Sequence, residues 1–327
     1  MWIKWFPWQF IVKQVARSKG FIDPMLIISK FNRFAQPSEV WAPVELLRAG
    51  TVLHARGLIN SQVIQHNLDW VWPYWIECQF NPEDDSFIPR AFSLTQINLT
   101  HRNWTAVGIP GFEELPVVDP RGLVMPFFDS WSIDSWVILE DGARLIPSRE
   151  QNADQKLQWK DSLSVKTNIE SSGIKLQSEV KVVLQNGVPV CKINLSGQAP
   201  SNGYLIVALR PYNPEGVSFI HRIDLLKTVS GWLVDKKYFV FFDQKPDVHR
   251  FSHYRKGDVY HWILSPSHDR DSYVHCEVGM ATALMGYSLK EGEQRSVTIN
   301  IPLEKGKKNS DCLSGCQECR SAVAGNL

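Results

Sequence analysis

The densest run of chemically capable side chains lies at residues 66–77, where His66, Asp69 and Glu77 are interleaved with Trp70, Trp72, Tyr74 and Trp75. That mixture suits sugar recognition. A flat indole stacks on the C–H face of a pyranose, while carboxylates, amides and imidazoles bond to its hydroxyls. Asp69 and Glu77 also form a candidate carboxylate pair for glycosidic cleavage, which needs the carboxyl groups about 5–5.5 Å or 6.5–9.5 Å apart. The competing reading makes Trp70, Trp72 and Trp75 the anchors of an irregular segment. A second cluster, His101, Arg102 and Trp104, offers a similar set of groups. A third, Asp119-Pro120-Arg121-Gly122, is followed by Asp129, Trp131, Asp134 and Trp136. There an arginine beside Asp and Gly at a turn is expected to lock the loop by forking a carboxylate, with anion binding as the alternative.

Other chemistries lack their signatures. No phosphate loop, nucleophile elbow or zinc helix of the H-E-x-x-H kind occurs, and His249, His253, His261, His268 and His275 match no standard zinc spacing. Cys312, Cys316 and Cys319 have a spacing able to hold a metal, yet follow a lysine-rich stretch that reads as a solvated linker. No cofactor or metal is expected. Cys78, Cys191 and Cys276 are far apart and read as buried thiols.

The elements that must position these groups fall into four segments. Residues 1–49 read as a helical, basic arm. Trp8, Ile11, Val12 and Val15 follow helical spacing, and Asp23-Pro24 restarts a helix. Its Trp2, Trp5, Phe6 and Trp8 beside lysines allow a membrane-surface reading, against a simpler one in which the arm packs on the rest of the protein. Residues 50–156 are rich in Trp and Pro, with little periodicity, and read as an irregular and β segment packed on a sandwich. Residues 157–303 read as strands. Asn186-Gly187 marks a hairpin between 180–184 and 188–194, and strand runs recur about every 8–12 residues. Residues 304–327 form the Cys-containing tail. The expected fold is mainly β: a large antiparallel β-sandwich with a short helical N-terminal arm.

The formal net charge of +1 argues against a nucleic-acid binder with a broad basic face. No apolar run is long enough to cross a membrane as a helix, and the N-terminus lacks a signal-peptide pattern, so a cytoplasmic chain with reduced thiols is expected. The sequons at Asn98, Asn103 and Asn194 then carry no sugar.

Several strings resemble one family. Residues 55–60 (ARGLIN), 66–75 (HNLDWVWPYW), 87–92 (FIPRAF), 98–104 (NLTHRNW) and 210–216 (RPYNPEG) are similar to the N-terminal part of bacterial proteins labelled glycogen debranching enzyme or amylo-α-1,6-glucosidase-like. The resemblance covers most of residues 1–303. It implies a super-sandwich of the six-hairpin glycosidase type, preceding an (α/α)6 barrel that supplies the catalytic acids. No such barrel lies within these residues, so the resemblance assigns no catalytic residue here. It implies a non-catalytic module that packs on a barrel and contacts α-glucan through His66, Asp69, Trp70, Trp72, Trp75, Glu77, His101, Arg102 and Trp104. The readings left beside it are a self-contained glycoside hydrolase using acids near 69–77 or 119–134, and an interaction protein led by the basic arm.

Overall fold

The computed structural model describes residues 63–64, 66–80, 83, 104–127, 130–159, 162–213, 216–226, 229–265 and 271–303. The helical arm, His101, Arg102 and the cysteine tail lie outside them. The chain falls into two units, Met1–His66 with Pro89–Ile97 and Asn67–Ile88 with Asn98–Leu327. Of the first, Val63, Ile64 and His66 are described; they are helical, and His66 is exposed.

The second unit is a β-sandwich. In chain order it contains α1 (Tyr74–Phe80), β1 (Thr105–Ala106), β2 (Val117–Val118), β3 (Val124–Met125), β4 (Ser132–Leu139), β5 (Arg144–Leu145), β6 (Asp154–Trp159), β7 (Leu163–Ser171), β8 (Ile174–Gln185) and β9 (Val188–Gln198). There follow β10 (Gly203–Arg210), β11 (Tyr212–Asn213), β12 (Gly216–Val217), β13 (Arg222–Leu226), β14 (Gly231–Val234), β15 (Tyr238–Phe242), β16 (Val248–Ser252), β17 (Tyr273–His275), β18 (Thr282–Leu289) and β19 (Gln294–Pro302). One large sheet runs β1-β2-β3-β4-β10-β18-β16, with β5 on β4, a second runs β17-β13-β14-β15-β19-β9-β8-β7-β6, and β11 and β12 form a separate two-stranded sheet. The strand pairings within all three are antiparallel.

Alternation builds the larger sheet. In β8, Ile174, Leu176, Ser178, Val180 and Val182 are buried, and the residues between them face outward. Asn186 and Gly187 take φ of 53° and 82°, as a two-residue hairpin turn demands, and join β8 to β9. The inner faces meet closely. A Cβ on Gly197 of β9 would lie 3.2 Å from Leu205 of β10 and 3.4 Å from Val137 of β4.

The sandwich begins earlier than the expected start at residue 157. Strand β4 is buried at all eight positions and pairs with β10 along its length. Its inner face (Ile133, Val137, Leu139) meets the other sheet, and its outer face (Asp134, Trp136, Ile138) is covered by chain. A strand buried on both sides loses its period-two signal. The cover is visible in one core cluster. Trp136, Ile138, Ile206, Ala208 and Leu284 of the sheet pack with Val71, Val259, Tyr260 and Ile263 from two irregular segments.

Candidate functional site

The Trp-rich segment is a tight turn leading into α1. The Asn67 carbonyl accepts from the Trp70 backbone (3.2 Å) and from Trp72 Nε1 (2.8 Å), and the Pro73 carbonyl accepts from Ile76 and Glu77. These bonds turn three indoles toward the sheet. Trp70 and Trp72 are each 1% exposed and Trp75 is 7% exposed. Trp72 packs on Tyr212 (centroids 4.9 Å apart) and on Trp70 (6.4 Å). Their faces are therefore covered by protein and offer no stacking platform, a correction to the sugar-surface expectation for these three residues. Trp104 is half-buried at the entry to β1.

One charged pair holds the segment down. Arg210, at the end of β10, and Asp258, at the start of a 3-10 turn (Val259–Trp262), are both fully buried. Arg210 donates through both Nη atoms to the Asp258 carboxylate, Nη2 to Oδ2 at 2.6 Å. The same Nη2 reaches the Val71 carbonyl (2.9 Å) and the Tyr212 hydroxyl (2.9 Å). Asp258 in turn accepts from the Val71 N–H (2.8 Å) and the Tyr260 N–H (3.2 Å). Both backbone groups of Val71 are thus bonded to one ion pair. Trp136, Tyr212 and Trp70 surround the guanidinium at 5.3, 5.1 and 5.8 Å. Burial opposes the Arg210 charge most strongly, but Asp258, Tyr212 and Asp134 together outweigh it, and the guanidinium is held above its ordinary value.

The polar groups left over form a rim above this junction. His261 Nε2 lies 3.3 Å from Asp69 Oδ2, and both side chains are largely exposed. Glu77 Oε1 accepts from Arg149 Nε (3.1 Å) and from the Trp72 N–H (3.1 Å). Burial raises the Glu77 pKa, and Arg149 works against that shift. Arg149 also donates to the Trp70 carbonyl, and Arg144 hydrogen-bonds the Tyr260 hydroxyl. Such a rim can bond to hydroxyl groups. Arg149, Arg210, Asp258 and Tyr260 were not candidates on sequence alone. The one signal for them was Arg210 itself, a charge closing a strand that is otherwise apolar.

Asp119 and Arg121 lock a loop, but not by forking a carboxylate. Asp119 Oδ1 caps its own turn, accepting from Arg121 and Leu123 N–H at 2.8 and 2.9 Å, and Gly122 supplies the positive φ of 87°. Arg121 donates instead to the carbonyls of Glu150 (3.0 Å) and Gln151 (2.6 Å), and lies 3.9 Å over the Tyr74 ring. That corrects the expected partner: two turn carbonyls satisfy the guanidinium fork. Asp119 and Asp134 are 1% and 5% exposed, out of reach of a bound substrate. Burial pushes their carboxyls up to about 7 and about 6. Cys78, Cys191 and Cys276 are buried free thiols, and burial pushes Cys191 up to about 12.

Two antiparallel sheets, packed face to face and joined by strands and turns, define a mainly β sandwich protein. No protein-family model matches the sequence, and no curated protein matches it. Among solved structures, the chain is similar to a bacterial glucoamylase complexed with acarbose, at 11% identity and a TM-score of 0.45, over 68% of this chain and 36% of that one. It is also similar to a family GH92 α-mannosidase from Bacteroides thetaiotaomicron, at 12% identity and a TM-score of 0.38, over 68% of this chain and 35% of that one. The chain spans about a third of the length of these proteins.

Proposed function

We propose that this chain is the non-catalytic β-sandwich module of a glucan-processing glycosidase of the debranching, amylo-α-1,6-glucosidase-like kind. Its role is to pack on a catalytic (α/α)6 barrel, shape the substrate cleft and contact α-glucan through the polar rim of Asp69, Glu77 and His261. His66, His101, Arg102 and Trp104 remain part of the proposed sugar-contacting set. The observation that carries the reading is the junction around Arg210. Two of the strings that resemble that family, residues 66–75 and 210–216, are far apart in sequence, yet Arg210 bonds the Val71 carbonyl and Tyr212 packs on Trp72. That two of the resembling strings meet in one buried junction supports a likeness of architecture. The carboxyls of Asp119 and Asp134 are buried, which leaves the self-contained hydrolase reading Asp69 and Glu77 among the described acids of its two regions.

The test is association with a separately expressed (α/α)6 barrel of a glucan-processing glycosidase, measured by analytical ultracentrifugation, with glucan turnover followed in the mixture. Complex formation with turnover that depends on the barrel's acids supports the module. Turnover by this chain alone, lost in Glu77→Gln, would establish the hydrolase instead.

A further inference from the structure

The outward face of the larger sheet divides into two chemically different ends. At one end it is made in the usual way for a solvated sheet. Lys166, Lys181 and Lys192 lie there with Glu179, and Lys181 stands directly opposite Lys192 in the register, a like-charge pairing that is mildly unfavourable. At the other end the same strands carry amides and hydroxyls. The register places Asp154, Asn168, Gln177 and Ser196 side by side on β6, β7, β8 and β9. A second row, one step along, runs Glu170, Lys175, Gln198 and Gln294 on β7, β8, β9 and β19.

These two rows line a concave groove of about 660 Å³, completed at one end by Asn152. Strands lie about 4.8 Å apart, so a row crossing β6 to β19 is roughly 19 Å long, the length of several sugar units. Asn168, Gln177 and Ser196 sit half-buried at the floor, and Glu170, Lys175, Gln198 and Gln294 stand exposed at the rim. The charges are already balanced. Lys175 lies 3.4 Å from Glu170, and Lys156 lies 2.7 Å from Asp154, whose carboxyl that lysine holds below its usual value. Among the described residues, the Gln177, Ser196 and Gln294 side chains make no hydrogen bond.

We propose that this groove binds a neutral oligosaccharide lying across the strands β6, β7, β8, β9 and β19. The inference rests on the proposed role in glucan processing and moves its main sugar contact from the Trp-rich turn to the opposite sheet. A carboxamide presents a donor and an acceptor together, as a hydroxyl does, so a row of amides matches a row of hydroxyls. A ligand carrying net charge gains nothing from cations and anions that already neutralise one another. No aromatic side chain lines the groove. Binding therefore depends on hydrogen bonds, each of which yields only a modest net gain against water, and a millimolar dissociation constant is expected.

The experiment is ligand-observed NMR of the full chain with maltoheptaose and mannohexaose, alongside affinity electrophoresis through glycogen. The wild type is compared with an Asn168→Ala/Gln177→Ala double variant, with Ser196→Arg, which fills the floor, and with Lys181→Ala at the lysine-bearing end of the same sheet. All four positions are solvent-facing, and thermal midpoints verify folding. The expected result is binding by the wild type and by Lys181→Ala, a loss of about tenfold in affinity in the double variant, and a comparable loss in Ser196→Arg. Equal binding by the groove variants would overturn the proposal, as would tighter binding of polygalacturonate than of either neutral probe, or no binding of neutral sugar. The association with a barrel is read separately. A chain that binds the barrel but no sugar loses the groove and keeps the module role, and a chain that binds sugar but no barrel does the reverse.

Discussion

A fully buried guanidinium persists only where its charge and its donors are met. Arg210 meets its charge and its Nη donors with one carboxylate, one carbonyl and one hydroxyl, leaving Nε without a hydrogen-bond partner among the described residues, and in doing so bonds a loop to a strand end. Arg210→Met is therefore expected to cost about 3–5 kcal/mol, since Asp258 would be left buried without its partner. The double variant Arg210→Met/Asp258→Leu should recover part of that loss, and urea denaturation of the two reads the difference. A double variant no more stable than the single one would show that the ion pair is not the unit. At this scale the sequence exposed the participants and hid the partnership. The strings containing Val71 and Arg210 were conspicuous, but Asp258 sits in a stretch with no motif, and 48 residues separate it from Arg210. The three indoles were conspicuous for the wrong reason. A tryptophan reads alike in sequence whether its face meets a sugar or a tyrosine, and only the Asn67 turn settles which way Trp72 points.

Strand elements were legible in proportion to how one-sided their burial is. The hairpin joining β8 and β9 announces itself through alternation and Asn186-Gly187, because one face is wet and the other dry. Strand β4 does not, because Trp136 and Val137 are both fully buried, on opposite faces. Glycines in the two settings should respond differently. At Gly187 an added Cβ meets nothing within 4 Å, so Gly187→Ala is expected to cost only the strain of a positive φ, about 1 kcal/mol. At Gly203, where β10 enters between β4 and β18, an added Cβ would lie 2.7 Å from Leu139 Cα. Gly203→Ala must push two backbones apart and should cost about 2–3 kcal/mol, an overpacking penalty. Thermal melts of the pair test the ordering. Equal midpoints would mean that the end of β4 yields easily.

For the molecule as a whole, the strand-rich character of residues 157–303 was readable but the partnering of strands was not, since β10 pairs with β4 from about seventy residues earlier and with β18 from about eighty later. The same long-range closure buries two carboxyls with incomplete compensation. Asp119 Oδ2 has no hydrogen-bond partner, and burial raises Asp119 and Asp134 from an ordinary value near 3.8 to about 7 and about 6. The consequence for stability has a definite sign. Between pH 4 and pH 7 the unfolded chain has released protons that the native state still holds. Stability from these groups is full below about pH 4 and falls as pH rises through the native values. An asparagine at position 119 could still accept from Arg121 and Leu123 and would carry no charge to bury. Asp119→Asn should therefore leave stability at pH 4 nearly unchanged and raise it at pH 8 by roughly 2–4 kcal/mol, because each tenfold change in a protonation equilibrium is worth about 1.4 kcal/mol. Denaturation midpoints of both proteins across pH 4–8 make the comparison. Parallel curves would mean that Asp119 ionises freely in the folded protein, and the buried turn at 119–123 would then have to open to water above neutral pH.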